Sequence, residues 1–152
     1  MADWLFKSGP GAYSIDNLAH DRRELWDGIR NYQARNFMMH HMAVGDRVLF
    51  YHSSCAQPGV VGEATVCAPA VVDPTQFDPD SKYFDARSRR DKPRWWCVSV
   101  AFVSKLAHPV TLNALRATPA LANLRILQRG NRLSITPLAK QEYDIIITMS
   151  RH

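Results

Sequence analysis

The chain has 152 residues, 46% of them hydrophobic, and a formal charge of +5 at neutral pH. That length is near the size of one domain, residues 1–152 in all, and the apolar fraction is enough for one core. No run of about 18 apolar residues is present to cross a membrane, and the amino-terminal Met-Ala-Asp-Trp lacks the basic and apolar regions of a secretory signal.

Taken in chain order, a strand is expected at about Asp3 to Lys7, stopped by the turn Ser8-Gly-Pro-Gly11. Ser14 can cap a short helix through His20, because its hydroxyl accepts from the first free amides. A turn at Asp27-Gly28 precedes a helix from about Asn31 to His41. Asp46 to Ser53 is a β-rich apolar run and reads as a buried strand. A second, longer strand, about Gly59 to Val72, follows the Gln57-Pro58-Gly59 turn, and its length suggests bending around the sheet. Trp95 to Leu106 alternates, with Trp96, Val98, Val100 and Phe102 on one face and Cys97, Ser99 and Ala101 on the other, the pattern of a half-buried antiparallel strand. Thr111 can cap a helix at Leu112 to Arg116, and Pro119 opens another near Ala120 to Leu124. Leu133 to Ile135 reads as a short strand, and Thr136-Pro137 as the start of a final helix through about Ile147. Nothing repeats and no linker is visible.

Within this frame the segment Trp26-Asp-Gly-Ile-Arg-Asn-Tyr-Gln-Ala-Arg-Asn36 has an unusual composition. A packing face would repeat branched aliphatics at a period of two or 3.6, yet Ile29 is the single one here. Arg30 and Arg35 offer planar donor forks, Asn31, Gln33 and Asn36 offer paired donors and acceptors, and Trp26 and Tyr32 offer flat surfaces. These are the groups that recognise a flat, hydrogen-bonding ligand tethered to anions, namely a nucleotide.

Four blocks resemble, in order, the signature blocks of the EVE domain family: Trp4-Leu-Phe-Lys-Ser8, Trp26 to Asn36, Gly45-Asp-Arg-Val-Leu-Phe-Tyr-His-Ser53 and Pro93-Arg-Trp95. The resemblance implies an α+β fold related to the PUA, ASCH and YTH domains, with a curved, mixed but mostly antiparallel sheet or open barrel and peripheral helices. It further implies a non-enzymatic reader that holds an extruded modified base, such as 5-methylcytosine or 5-hydroxymethylcytosine in DNA. The alternatives are a reader of modified RNA and a binder of a free nucleoside-like molecule. Where the family has Phe-Lys-Ser-Glu-Pro, this chain has Gly9 in place of the acid.

Trp26 is the first candidate for the wall of a base pocket, with a core tryptophan as its rival. Lys7 and Ser8, at the end of the first strand, could meet a phosphate or a base edge. Arg30 and Arg35 could grip phosphate or a base carbonyl, or brace the fold. Asn31 and Asn36 could read a base edge, or serve as caps. Tyr51 and Ser53 should share one side of their strand and His52 the other, so at most one set faces a pocket. Trp95 is a candidate second wall, and Trp96 is better spent as core.

Between Lys82 and Arg94, six cations, Lys82, Arg87, Arg89, Arg90, Lys92 and Arg94, face two acids, Asp85 and Asp91. Arg87, Arg89, Arg90, Lys92 and Arg94 are therefore the candidates for contact with a nucleic-acid backbone, against the alternative of a merely solvated loop.

No catalytic residue is assigned, since the spacing of His52 and Cys55 alone does not make a nucleophile and base. His40-His41 point about 100° apart on a helix and make a poor metal site, so neither metal nor cofactor is expected. Cys55, Cys67 and Cys97 are an odd number without a close pair. They read as reduced thiols in a cytoplasmic or nuclear-type compartment. The expected partner is nucleic acid with a modified base, DNA favoured over RNA, bound by a monomer without a membrane.

Overall fold

The computed structural model describes residues 1–152. Its scaffold is one six-stranded sheet: β1 (Asp3–Ser8), β2 (Arg23–Leu25), β3 (Arg47–His52), β4 (Gly59–Val72), β5 (Trp96–Thr111) and β6 (Ile135–Leu138), in the order β2-β5-β4-β3-β1-β6. Only β1 and β3 run parallel; the other pairs are antiparallel. The four helices are α1 (Ile15–Asp21), α2 (Tyr32–Asn36), α3 (Leu112–Arg116) and α4 (Lys140–Met149). This is the mixed, mostly antiparallel open sheet that the sequence resemblance implies.

The parallel pair lies inside the sheet because its residues are apolar on both faces. Trp4, Phe6, Val48 and Phe50 point into one core with Trp26 and Met38. Leu5, Leu49 and Tyr51 point into a second core, with Tyr143 and Ile146 of α4. Phe6, Phe50, Leu5 and Leu49 are fully buried, each contributing about 1.5–3 kcal/mol of hydrophobic transfer. β4 and β5 bend by several register shifts between Val60 and Val71, as the length of Gly59 to Val72 predicts.

The helix starts are chemically specified. Ser14 accepts from the Asn17 amide and Asn17 reaches back to the Ser14 amide, closing a capping box on α1. Asn31 accepts from the Ala34 amide at 3.0 Å to start α2, which continues as one π-helical turn over Phe37–His41. Thr111 accepts from Ala114 at 3.1 Å to start α3.

Several expectations need correction. Thr136 and Pro137 do not open the last helix; they belong to β6, where proline is tolerated because β6 is an edge strand bonded only to β1. α4 starts after Ala139, whose amide donates to Glu142 Oε1 at 2.8 Å. The short strand is therefore Ile135–Leu138 rather than Leu133 to Ile135, and the Pro119 element is a single 3-10 turn, Pro119–Leu121. β5 runs on to Thr111, and its alternation fails at the start: Trp95 and Cys97 are buried while Trp96 is only partly so. The register of β5 slips against β4 at this point, so the strict period of two does not survive.

Candidate base-binding cleft

The end of β1 and β2 with its following turn border a cleft of about 460 Å³, within the size range of small-ligand sites. Lys7, Ser8, Gly9 and Tyr13 form one side, Glu24 to Ile29 a second, and Lys82 and Tyr83 the rim from the basic loop. A second cleft of about 400 Å³ lies by Trp4, Phe37 and Pro137. Its single acid, Asp3, already accepts from Nε and Nη2 of Arg47 at 2.8 Å each.

Trp26 lines the first cleft and is 8% exposed. Its amide donates to Val98 O at 2.8 Å, and its ring packs 5.4 Å from Phe6 and edge-on to Phe50 and Tyr13. Both sequence readings of Trp26 thus apply at once: it is packed into the core and it lines the cleft. The indole Nε1 has no partner in the protein, and no buried side-chain polar atom is unpartnered. This N–H therefore reaches open space, on the residue that lines the cleft.

The turn after Trp26 is built on glycine. Gly28 has φ +81°, and the Tyr83 ring covers the position a Cβ would take, at 2.6 Å. The Gly28 amide donates to Asp73 Oδ2 at 2.8 Å. Asp73 is 1% exposed and also accepts from Arg30 at 3.1 Å and from the amide and hydroxyl of Thr75. Burial alone would raise its pKa, but the bonds from Thr75, Gly28 and Arg30 outweigh that and hold it below the usual carboxylate range.

The two acids that line the cleft, the half-buried Glu24 and the exposed Asp27, behave oppositely. Asp27 is raised by desolvation and by the charge of Asp73, against an opposing contribution from Arg30. Glu24 is raised by desolvation and by Asp27 and Asp21. Burial, a hydrogen bond to Asp21 at 2.9 Å and the charge of Glu24 push the Tyr13 phenol well above its ordinary value.

Of the residues singled out by sequence, Lys7, Ser8 and Trp26 line this cleft. Arg30 does not line it. Its guanidinium donates to Tyr83 O from Nε and Nη2 (3.1 and 2.7 Å), to Ile29 O and Asp73 from Nη1, and to Thr75 Oγ1 from Nη2. Those five bonds use its five N–H groups. Arg35 is likewise committed, to Asn36 Oδ1 and to Arg94 O at 2.7 Å, which also occupies Asn36. Asn31 is the helix cap. Tyr32 stacks on Trp95, with ring centroids 4.7 Å apart and planes at 22°, so Trp95 is a pillar of the loop instead of a second pocket wall. Tyr51 is buried in the core beneath α4. His52 Nε2 accepts from the Ile15 amide at 3.1 Å, and the Ser53 amide donates to Ser8 O. None of the three lines the cleft.

The basic loop is anchored on a side chain that sequence inspection passed over. Gln76, fully buried, donates to Asp73 O and Trp95 O at 2.7 Å each and accepts from Trp95 N and Ser88 Oγ. Trp95 Nε1 donates to Asp85 at 2.8 Å. From that frame Arg87, Arg89, Arg90 and Lys92 project outward exposed. Arg89 pairs with Asp91, and Arg90 lies over the Phe77 ring. Arg87 and Lys92 make no side-chain bond, and Arg94 is half-buried.

Known proteins resemble this chain over nearly its whole length. Human thymocyte nuclear protein 1 is 34% identical over 164 residues, covering 96% of this chain and 72% of the human protein. A crystal structure from Pseudomonas putida superposes with a TM-score of 0.94 at 43% identity, covering 98% of this chain and 99% of that one. Human THYN1 in complex with 5-methylcytosine-containing DNA superposes at 0.93 with 33% identity, covering 100% and 99%. An ASCH protein from Zymomonas mobilis shares the fold alone, with a TM-score of 0.59 at 13% identity. Residues 2–149 match the EVE domain, and the chain belongs to that family.

Proposed function

We propose that this protein is a non-enzymatic reader of DNA carrying a modified base of the 5-methylcytosine type. The base is extruded into the Trp26 cleft while the loop from Lys82 to Arg94 follows the phosphates. The observation that carries this reading is the human THYN1 complex with 5-methylcytosine-containing DNA, a likeness that covers the whole of this chain. Four features support it here. The cleft is lined by a buried tryptophan and two tyrosines, Tyr13 and Tyr83, aromatic groups against which a base can rest. Its rim carries Lys7 and Lys82, and the exposed Arg87 and Lys92 stand on the same loop as Lys82. One copy of the chain supplies every side of the cleft, so a monomer suffices. Free Cys55, Cys67 and Cys97 suit a reducing compartment, cytoplasm or nucleus.

Extrusion costs a few kcal/mol, which contacts inside the cleft must recover. The test is fluorescence anisotropy with matched DNA and RNA strands carrying cytosine, 5-methylcytosine or 5-hydroxymethylcytosine, at two salt concentrations. The reading expects one modified DNA strand to bind more tightly than its plain counterpart, with the same salt slope for both. Preference for a modified RNA strand would transfer the role to RNA. Equal binding of every strand would leave only a basic nucleic-acid binder.

A further inference from the structure

Phe84 is an apolar ring on the basic loop. Of six phenylalanines it alone is exposed, at 44%, and it belongs to neither core. No ring stacks on it and no cation lies over it, whereas the other exposed aromatic, Tyr32, stacks on Trp95 and lies under the Arg35 guanidinium.

The backbone is held on both sides of this ring. Tyr83 O accepts from Arg30 Nε and Nη2 at 3.1 and 2.7 Å, and the Tyr83 amide donates to Ser81 Oγ at 3.1 Å. The Phe84 amide donates to Ser81 O at 3.1 Å, and the Asp85 amide to the carbonyl of the fully buried Gln76 at 3.0 Å. Asp85 Oδ2 accepts from Trp95 Nε1 at 2.8 Å. Part-buried and buried polar groups thus fix the point from which the ring meets solvent, a position where it adds little to folding but is ready for a partner.

The neighbours of Phe84 identify that partner. Tyr83, about 3.8 Å away along the chain, lines the Trp26 cleft, as does Lys82. Arg87 follows three residues later, exposed and without a side-chain bond. An apolar ring beside a base cleft, between cations that attract phosphates, suits the stacked interior of a nucleic acid. A duplex opens that interior where a base has left it. Extrusion strips one face from each neighbouring base pair, and an apolar side chain inserted there replaces the lost stacking.

Resting on the reader function, we propose that Phe84 is a wedge that fits the protein to double-stranded DNA. As the modified base enters the Trp26 cleft, the Phe84 ring fills the place it leaves, with Lys82 and Arg87 on the flanking phosphates. The ring has no polar atom, so it holds the duplex open without reading the orphaned guanine. Base preference stays with the cleft, and the wedge offsets the extrusion that a duplex requires and a single strand does not.

The test is anisotropy with 5-methylcytosine and cytosine strands, each single and as a duplex with guanine opposite, for the wild-type protein, Phe84→Ala and Phe84→Leu. Both substitutions are at an exposed site and should leave the fold intact by circular dichroism. Phe84→Ala should weaken the modified duplex by about ten- to a hundredfold and leave the modified single strand unchanged. The salt slope should stay the same, because no charge is lost. Phe84→Leu should recover most of the duplex affinity, since an apolar wedge need not be aromatic. Equal losses on duplex and single strand, no loss on either, or a wild-type protein that binds only the single strand would overturn the wedge. So would a changed salt slope, which would trace the effect to displaced loop cations. In each of these cases a 5-methylcytosine preference that persists in the single strand would leave the reader standing. A wild-type protein without that preference in either form would overturn both.

Discussion

Gly28 and Tyr83 occupy each other's space: a Cβ on Gly28 would stand 2.6 Å from the Tyr83 ring, and the glycine holds φ at +81°. The turn and the loop therefore shape the cleft together. Gly28→Ala should displace the ring, strain the backbone by about 1 kcal/mol or more and weaken base binding. Tyr83→Ala in the same chain should relieve the collision but not the backbone strain. Melting temperatures of the two single variants and the double variant would separate these contributions.

Arg30 is a brace. Arg30→Ala leaves the buried Asp73 short of its cationic partner and should cost about 3 kcal/mol. Arg30→Lys should recover only part of that, because a lysine cannot supply a five-donor fork. Urea unfolding measures both, and a loss of binding without a loss of stability would instead assign Arg30 to the ligand.

Trp26 requires a careful substitution, since it is packed against Phe6 and Phe50. Trp26→Ala should cost about 3–5 kcal/mol of stability, enough to confuse binding with unfolding. Trp26→Phe should stay folded, lose the indole N–H and lower the preference for the modified base, as a paired measurement of circular dichroism and anisotropy would report.

His52 imposes a pH dependence on stability. Its pKa is lowered, chiefly by burial with a contribution from Lys105, and its Nε2 must stay unprotonated to accept from the Ile15 amide. Below the unfolded pKa of about 6.5 the unfolded chain binds a proton that the folded chain resists. Stability should therefore fall as pH drops from about 6.5 toward the lower folded value, then level off. His52→Gln should remove that fall; chemical unfolding across the acid range checks it.

Among the exposed cations between Arg87 and Arg94, Arg87 and Lys92 are the ones without a side-chain partner. Reversing both charges should weaken every DNA strand alike and flatten the logarithmic salt slope by about 0.7–0.9 per lost phosphate contact. The same change at Arg89 should do less, because Arg89 already pairs with Asp91 at 2.7 Å.

The strands and caps were legible because local chemistry determines them: Gly59–Val72 has the expected limits, and Ser14 and Thr111 cap the helices assigned to them. β2 escaped notice because three residues, Arg23-Glu-Leu25, carry no period. Thr136-Pro137 misled because a cap followed by proline and an edge strand containing proline share the same letters. The cleft was only half readable. Trp26 stood out by the composition of its segment, and Lys7 and Ser8 by the family resemblance at the end of the first strand, but Arg30, Arg35 and Asn36 have the same chemistry and spend it on the fold. Asp27, Tyr13 and Tyr83 gain their places from pairings across the chain, and Gln76 and Asp73 organise a loop from positions where no motif marks them.

The most direct test of the reader function is the indole N–H signal of Trp26 in a 1H–15N NMR titration, assigned by its absence in Trp26→Phe. With a DNA strand carrying 5-methylcytosine this signal should shift in step with binding, and with the unmodified strand it should stay while signals from the Lys82 to Arg94 loop move. A Trp26 signal unmoved by saturating modified DNA would contradict the account.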